Sequence, residues 1–251
     1  MNITTHIEQH IGTITINRPE RKNALTAAMY QEMLEALRAF DADDAVRVAL
    51  ITGTSELFCS GNDLADFLNS PPLGADSSVV QFLYTLRDFS KPLVFAVNGV
   101  AVGVGVTMLL FADYVVVGEN AKLQLPFINL ALCPEGSSSL VLVQKAGYLK
   151  AAEKLMFGEM FSANEAVAMG IANCTVPSEE TLRFAQHQAH HLAEKSPQAM
   201  RETKRLLRMN NAEALRETID KEVEAFGQLL RGAHAKEAMT AFFEKRKPVF
   251  D

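Results

Sequence analysis

Two apolar segments of this 251-residue chain each run into a turn of small residues, and that pairing limits what the chain can fold into. Val48-Ala49-Leu50-Ile51-Thr52-Gly53 comes before Phe58-Cys59-Ser60-Gly61-Asn62-Asp63-Leu64, and Pro92-Leu93-Val94-Phe95-Ala96-Val97-Asn98-Gly99 comes before Ala101-Val102-Gly103-Val104-Gly105. Strands that end in glycine turns can aim backbone N–H groups at one point, because glycine accepts conformations and close approaches that other residues resist. Two convergent donors of this kind can hold a negative oxygen. A third segment, Leu132-Cys133-Pro134-Glu135-Gly136-Ser137-Ser138, contributes a lone acid. Close to such donors, that acid would be a proton carrier.

The elements around these turns repeat as strand, strand, helix. Ile3 to His10 and Ile11 to Asn17 suit a hairpin that Arg18-Pro19 ends. From Thr26 onward, Met29, Met33, Leu37 and Phe40 recur at helical spacing, with Thr26 available as N-cap. Strands are predicted at 47–52, 93–97, 114–117 and 122–125, and helices near 79–88 and from Val104. This order calls for a layered α/β core. After Ser137 the pattern turns to helix upon helix, with a capping box at Ser162-Ala163-Asn164-Glu165 and breaks at Pro177-Ser178 and Ser196-Pro197.

Composition removes several function classes. The net charge of −6 argues against a general nucleic-acid or anionic-membrane binder, while leaving small anions open. Three cysteines without a CxxC give neither a disulfide framework nor a zinc site, so a reducing compartment is the expectation. The first residues show no basic start with an apolar run, and the chain ends Pro248-Val249-Phe250-Asp251 without a peroxisomal address, so a cytoplasmic location is expected. The apolar stretch from Val100 to Val117 is broken by glycines and Asp113, and reads as buried core.

The motifs Phe58 to Leu64, Ala96-Val97-Asn98-Gly99-Val100-Ala101-Val102-Gly103, Ala112-Asp113 and Phe243-Glu244-Lys245-Arg246-Lys247-Pro248 resemble the enoyl-CoA hydratase/isomerase (crotonase) superfamily over essentially the whole chain. Leu125-Pro126-Phe127-Ile128-Asn129-Leu130 through Pro134-Glu135-Gly136-Ser137-Ser138 is similar to the peroxisomal-type Δ3,Δ2-enoyl-CoA isomerases, as is Cys59 to Leu64 followed by Pro71-Pro72. The sequence starts at the first strand, where longer eukaryotic members carry an added acyl-CoA-binding module.

The resemblance implies an α/β fold, the crotonase (ClpP-like) spiral of ββα units, over residues 1–176, and a C-terminal helical trimerisation region over 177–251. It implies an oxyanion hole for an acyl-CoA thioester, with donors on the backbone N–H of Asn62 and of Val104. The loop Arg18 to Leu25 would border the adenine and pantetheine through the backbone of Ala24 and Leu25. Ser60, Gly61, Asn62, Asp63, Leu64 and Gly103 would surround the thioester. Lys245 and Lys247 could approach phosphates, with plain surface charge as the competing reading. Coenzyme A would be part of the substrate, so no cofactor is expected, and no metal. The partners implied are acyl-CoA and further copies of the chain, as a homotrimer or a dimer of trimers, with no nucleic acid and no membrane.

The identity of the acid separates the reactions of such a family. Hydration across a double bond conjugated to a thioester benefits from two carboxylates, and the family's hydratases carry them at the positions matching Thr107 and Phe127 here. Neither residue is an acid. Moving a double bond from C3 to C2 needs one base that removes a proton at C2 and returns it at C4, and Glu135 alone suffices for that. The competing reading makes Glu135 a solvated first-turn acid of a helix beginning near Ser137. Several other candidates are set aside. Gly103-Val104-Gly105 lacks the third glycine of a dinucleotide loop, because position 108 is Met. His187, His190 and His191 share a helix face without a completing ligand set. Cys59 and Cys133 have no nearby histidine in sequence and read as small apolar packing. Asn129 could reach a substrate with its amide, Asp63 is expected to fix its loop or cap a short helix, and the 67–79 loop to shape the acyl pocket.

Overall fold

The computed structural model describes residues 2–69 and 74–250, so the Pro71-Pro72 pair lies outside the described residues. The chain opens with an antiparallel hairpin of β1 (Ile3–Glu8) and β2 (Ile11–Ile16). Helix α1 (Ala27–Ala42) begins at the predicted cap, with the Thr26 side chain accepting from Met29 N–H, and it buries Met29, Met33, Leu37 and Phe40. There follow β3 (Val48–Thr52), α2 (Leu64–Asn69), α3 (Ser78–Asp88), β4 (Leu93–Val97), β5 (Val100–Val102) and the short α4 (Val104–Thr107). β6 (Tyr114–Gly118) and β7 (Lys122–Gln124) lead to α5 (Ser138–Ala146), α6 (Tyr148–Phe157), β8 (Met160–Ser162), α7 (Ala163–Ala168) and β9 (Cys174–Val176). The chain closes with α8 (Thr181–Ala193), α9 (Pro197–Met209), α10 (Ala212–Leu230) and α11 (Ala233–Phe243).

The strands divide between two sheets. The larger has the order β1-β2-β3-β4-β6-β9 and is parallel from β2 onward; the smaller is β5-β7-β8. From β4 onward the strands fall in pairs divided between the sheets: β4 in the large and β5 in the small, β6 in the large and β7 in the small, β8 in the small and β9 in the large. The chain therefore coils, leaving one strand in each sheet per turn. This is the spiral of ββα units. The turn after β3 joins the coil through single parallel bridges, Cys59 with Ala101 and Leu25 with Asn62. Ala101 pairs with Leu123 and Leu123 with Phe161, so Cys59, Ala101, Leu123 and Phe161 form one buried row.

β3 and β4 are buried along their whole length, which is why they read as continuous apolar runs. One face of the large sheet packs into the main core. The other, with Val48, Leu50, Val94, Ala96 and Val116, is covered by Ala185, Ala189 and Ala193 of α8. Their four-residue spacing puts the three alanines on one stripe and lets α8 approach closely. α8, which the division at 176 groups with the C-terminal helices, thus packs as part of the layered core. Asp113 of the Ala112-Asp113 motif is structural. Its Oδ2 accepts from Leu93 N–H at 2.8 Å and from Lys204 Nζ of α9 at 2.6 Å, tying β4, β6 and α9 together. Among the described residues, no helix is long and apolar enough to cross a membrane.

Candidate active site

The two glycine turns meet. Cys59 N–H donates to Val100 O at 3.0 Å and Val102 N–H to Cys59 O at 2.9 Å. A Cβ on Gly61 would come 3.0 Å from Val102 O, and one on Gly105 would come 2.6 Å from Cys59 O, so each turn leaves no room for a side chain on the other. Gly61 also has φ +94°, in the region that favours glycine. Around Asn62 the backbone runs as an extended segment. Leu25 N–H donates to Gly61 O at 2.8 Å and Asp63 N–H to Leu25 O at 2.9 Å. The Asn62 amide between them points the other way and has no acceptor among the described residues. Val104 is the first residue of α4, so its amide is one of those a helix leaves unpaired. Both residues named as oxyanion donors therefore offer free N–H groups on turns that are locked together.

The walls around these turns are held by polar contacts. Tyr30 of α1 donates its hydroxyl to Asn62 Oδ1 at 2.5 Å. Asp63 accepts from Arg18 at 2.8 Å, and from the Ala65 and Asp66 amides at the start of α2 at 3.1 and 3.2 Å. Burial pushes the Asp63 carboxyl up, but Arg18 and the two amides outweigh it and hold the acid below its ordinary value. Asp63 thus fixes the loop and caps α2. Asp66 accepts from Ala27 N–H at the start of α1. A cavity of about 220 Å³ opens here, lined by Leu25, Tyr30, Asn62, Asp63, Phe67 and Val79 among others. Both ends of the loop expected to shape an acyl pocket, Phe67 and Val79, are in its wall.

Glu135 lies in the turn before α5, where Gly136 (φ +66°) and Ser137 (φ +59°) are both left-handed and reverse the chain. The Thr107 hydroxyl of α4 donates to Glu135 Oε1. Oε2 is shut off from solvent and has no hydrogen-bond partner. Burial pushes this carboxyl up to about 7, helped by the nearby Glu222 and opposed by the Thr107 hydrogen bond. The Tyr30 phenol is raised well above its ordinary value by burial, then by Cys59 and Glu135, which places the cavity wall within electrostatic reach of the acid.

Glu135 does not serve as the first-turn acid of α5. That place belongs to Glu222 of α10, whose Oε2 accepts from Ser137 N–H at 2.6 Å and whose Oε1 accepts from Ser139 N–H at 3.0 Å and the Ser139 hydroxyl at 2.5 Å. Sequence reading gave Glu222 no role, because an acid on an amphipathic helix 85 residues from Ser137 carries no local signal. It also treated Thr107 only as a missing carboxylate, whereas the structure makes it the hydrogen-bond partner of the acid.

The remaining candidates separate clearly. Ala24 and Leu25 run beside the Gly61 turn, with Ala24 O accepting from Arg18 at 2.9 Å. Ser60, Leu64 and Gly103 flank the two turns. Lys245 and Lys247 follow α11 fully in solvent, and neither forms an ion pair among the described residues. Asn129 is exposed and donates to Gly158 O at 3.2 Å, away from the cavity residues, because the 3-10 turn at Phe127–Leu130 directs it toward the end of α6. Burial pushes the Cys59 thiol up to about 12 and the Cys133 thiol up to about 11, so both stay protonated at neutral pH and neither is an activated nucleophile. His187 and His191 face solvent on α8, and the described residues hold no cluster of metal-ligating side chains.

Residues 6–251 match the family model described as enoyl-CoA hydratase/isomerase. The chain is 32% identical to the 2,3-dehydroadipyl-CoA hydratase of Escherichia coli, over 97% of this chain and 96% of that one. It is 35% identical to human enoyl-CoA delta isomerase 2 over 83% of this chain, and the match spans 54% of the human protein. The structure of Pseudomonas aeruginosa OdaA superposes with a TM-score of 0.94 at 45% identity, covering 96% of this chain and 98% of that one. A spiral of ββα units carrying two free amides on interlocked glycine turns, matched along nearly its whole length, makes this chain a member of the enoyl-CoA hydratase/isomerase family.

Proposed function

We propose that the protein is a Δ3,Δ2-enoyl-CoA isomerase. In this reading the Asn62 and Val104 amides hold the thioester oxygen of a 3-enoyl-CoA, and Glu135 takes a proton from C2. The C2–H electrons flow toward the thioester, giving a dienolate whose negative oxygen the two amides stabilise. The protonated Glu135 then returns the proton to C4, leaving the double bond between C2 and C3. A base has to take up and release a proton near working pH, and a carboxyl raised to about 7 is suited to both steps. Ala24 and Leu25 would border the CoA, and Lys245 and Lys247 could meet its phosphates.

The observation that carries this reading is the Glu135 carboxyl, with one oxygen shut off from solvent and unbonded and the other hydrogen-bonded to a threonine where a hydratase would need a second acid. Phe127, the other position, is a buried phenylalanine that cannot supply one. Similarity to a hydratase along the full chain keeps hydration as the second reading. An absorbance assay with 3-enoyl and 2-enoyl thioesters of matched length distinguishes them. Isomerisation is expected to exceed hydration by at least about a hundredfold, the lower end of what a positioned acid or base contributes. Comparable rates would sink the isomerase reading, and no turnover of either substrate would leave an acyl-CoA binder.

A further inference from the structure

Glu222 is a buried acid that the reaction as written does not use. It comes from the middle of α10 and reaches the start of α5, where it accepts from Ser137 N–H, Ser139 N–H and the Ser139 hydroxyl at 2.6, 3.0 and 2.5 Å. The segment it grips is the left-handed Gly136-Ser137 turn that immediately follows Glu135. From the other side, Ser138 closes the same turn by donating its N–H to Glu135 O at 3.2 Å and its hydroxyl to that oxygen at 2.6 Å.

We propose that Glu222 is the positioning residue of the Glu135 carboxyl, clamping the 135–139 turn from α10 and supplying the fixed negative charge against which Glu135 exchanges its proton. Two neighbouring carboxyls can serve different roles when their surroundings differ. Burial pushes the Glu222 carboxyl up, and three donors aimed at its oxygens oppose this and favour the ionised form. Glu135 has one hydroxyl and an oxygen with nothing to bond, which favours the protonated form. Of the two, Glu222 is therefore the better site for the negative charge and Glu135 the better site for the proton. The groups that face the pair are Thr107 of α4, Tyr30 of α1 and Cys133 of the preceding segment, and Glu135 forms no ion pair among the described residues. The charge on Glu222 acts on Glu135 in the direction that strengthens it as a base.

The inference rests on Glu135 being the proton carrier, and its test does not need isomerase turnover. Infrared difference spectra, recorded against pH on the full-length protein, follow the protonated carboxyl band. In the parent a band with a midpoint near 7 is expected to vanish in Glu135→Gln. In Glu222→Gln the same band should persist with its midpoint lowered by about one pH unit, a tenfold change in proton affinity. Where 3-enoyl-CoA turns over, the acid limb of kcat should move down with it while KM changes less than about threefold. A midpoint that stays put in folded Glu222→Gln, or a band that Glu222→Gln removes and Glu135→Gln leaves, would overturn the proposal. Ser139→Ala guards against misfolding, since it removes the hydroxyl, one of the three donors to Glu222, and should lower the Glu135 midpoint in the same direction by a smaller amount. No shift in that folded variant counts against the proposal equally.

Discussion

Glu135 and Asp63 are both acids in short turns, yet their surroundings drive them in opposite directions from the ordinary carboxylate value. Asp63 is held below its ordinary value by Arg18 and two amides, which leaves it ionised and structural. Glu135, with Oε2 shut off from solvent and Oε1 bonded to one hydroxyl, is pushed up by burial of the carboxyl to about 7. Glu135→Gln keeps the shape and removes the base, so turnover should fall on the order of a thousandfold while acyl-CoA affinity changes less than about tenfold. Steady-state kinetics with direct binding checks both, and retention of a tenth of turnover by a folded variant would dismiss Glu135 as the base. The same carboxyl makes a stability prediction. Because its folded value is raised from 4.5 to about 7, its stabilising contribution is complete below about pH 4.5 and is lost as pH rises through 7, an effect of about 3 kcal/mol at most. Glu135→Gln cannot ionise, and it should therefore melt several degrees above the parent on the alkaline side of pH 7, with the gap closing toward pH 4.5. Equal melting curves at both pH values would show that the carboxyl is not held protonated by burial. At this scale the motif made Glu135 legible, since Pro134 and Gly136 mark a turn that sequence alone can place. Glu222 was not legible, because its partners lie across the fold.

The elements were legible where their signals are local. Thr26, Ser196 and the Ser162–Glu165 capping box start α1, α9 and α7 as read from the sequence. The small contribution of the Cys59 turn to the coil was not, because it is made of isolated bridges and has no strand-length pattern. α8 was grouped with the terminal helices because its buried stripe is alanine, which looks no more core-like than a surface helix. The interlocking of the two turns yields a prediction for α4. In Gly105→Ala the new Cβ would meet Cys59 O at 2.6 Å, and backbone cannot move aside as a flexible side chain would. The turns must separate, at a cost of about 1–3 kcal/mol in stability. The separation moves the Val104 and Asn62 amides apart, so kcat should fall by about a hundredfold or more, as for loss of one oxyanion donor. Thermal melts and kinetics on the same preparation test the coupling; a destabilised variant with parental kcat would show that the two turns do not set the oxyanion geometry.

For the whole molecule, the apolar surface left bare by a single chain is the feature on which the expected assembly rests. On α6, Leu149 is 82% and Phe157 67% exposed, with Tyr148 and Met156 also in solvent, as is Met160 at the start of β8. Leu149 and Met156 are seven residues apart and so share one face. Leu207 of α9 and Phe242 and Phe243 at the end of α11 are exposed as well. The sequence division placed the association surface from residue 177 onward, but much of the bare apolar area precedes it, on α6. Apolar side chains scattered singly are ordinary on a surface, whereas a clustered set of this size marks a contact. A closed ring covers such a face on every copy without leaving an open end. Light scattering of the 27.5 kDa chain at micromolar concentration should therefore give a trimer or a dimer of trimers. Leu149→Glu with Phe157→Glu, both mostly exposed in the single chain, should leave the fold intact and lower the mass toward the monomer. A parent protein that is already monomeric contradicts the assembly outright, and an unchanged oligomer in the double variant moves the contact from α6 to the α9 and α11 surface.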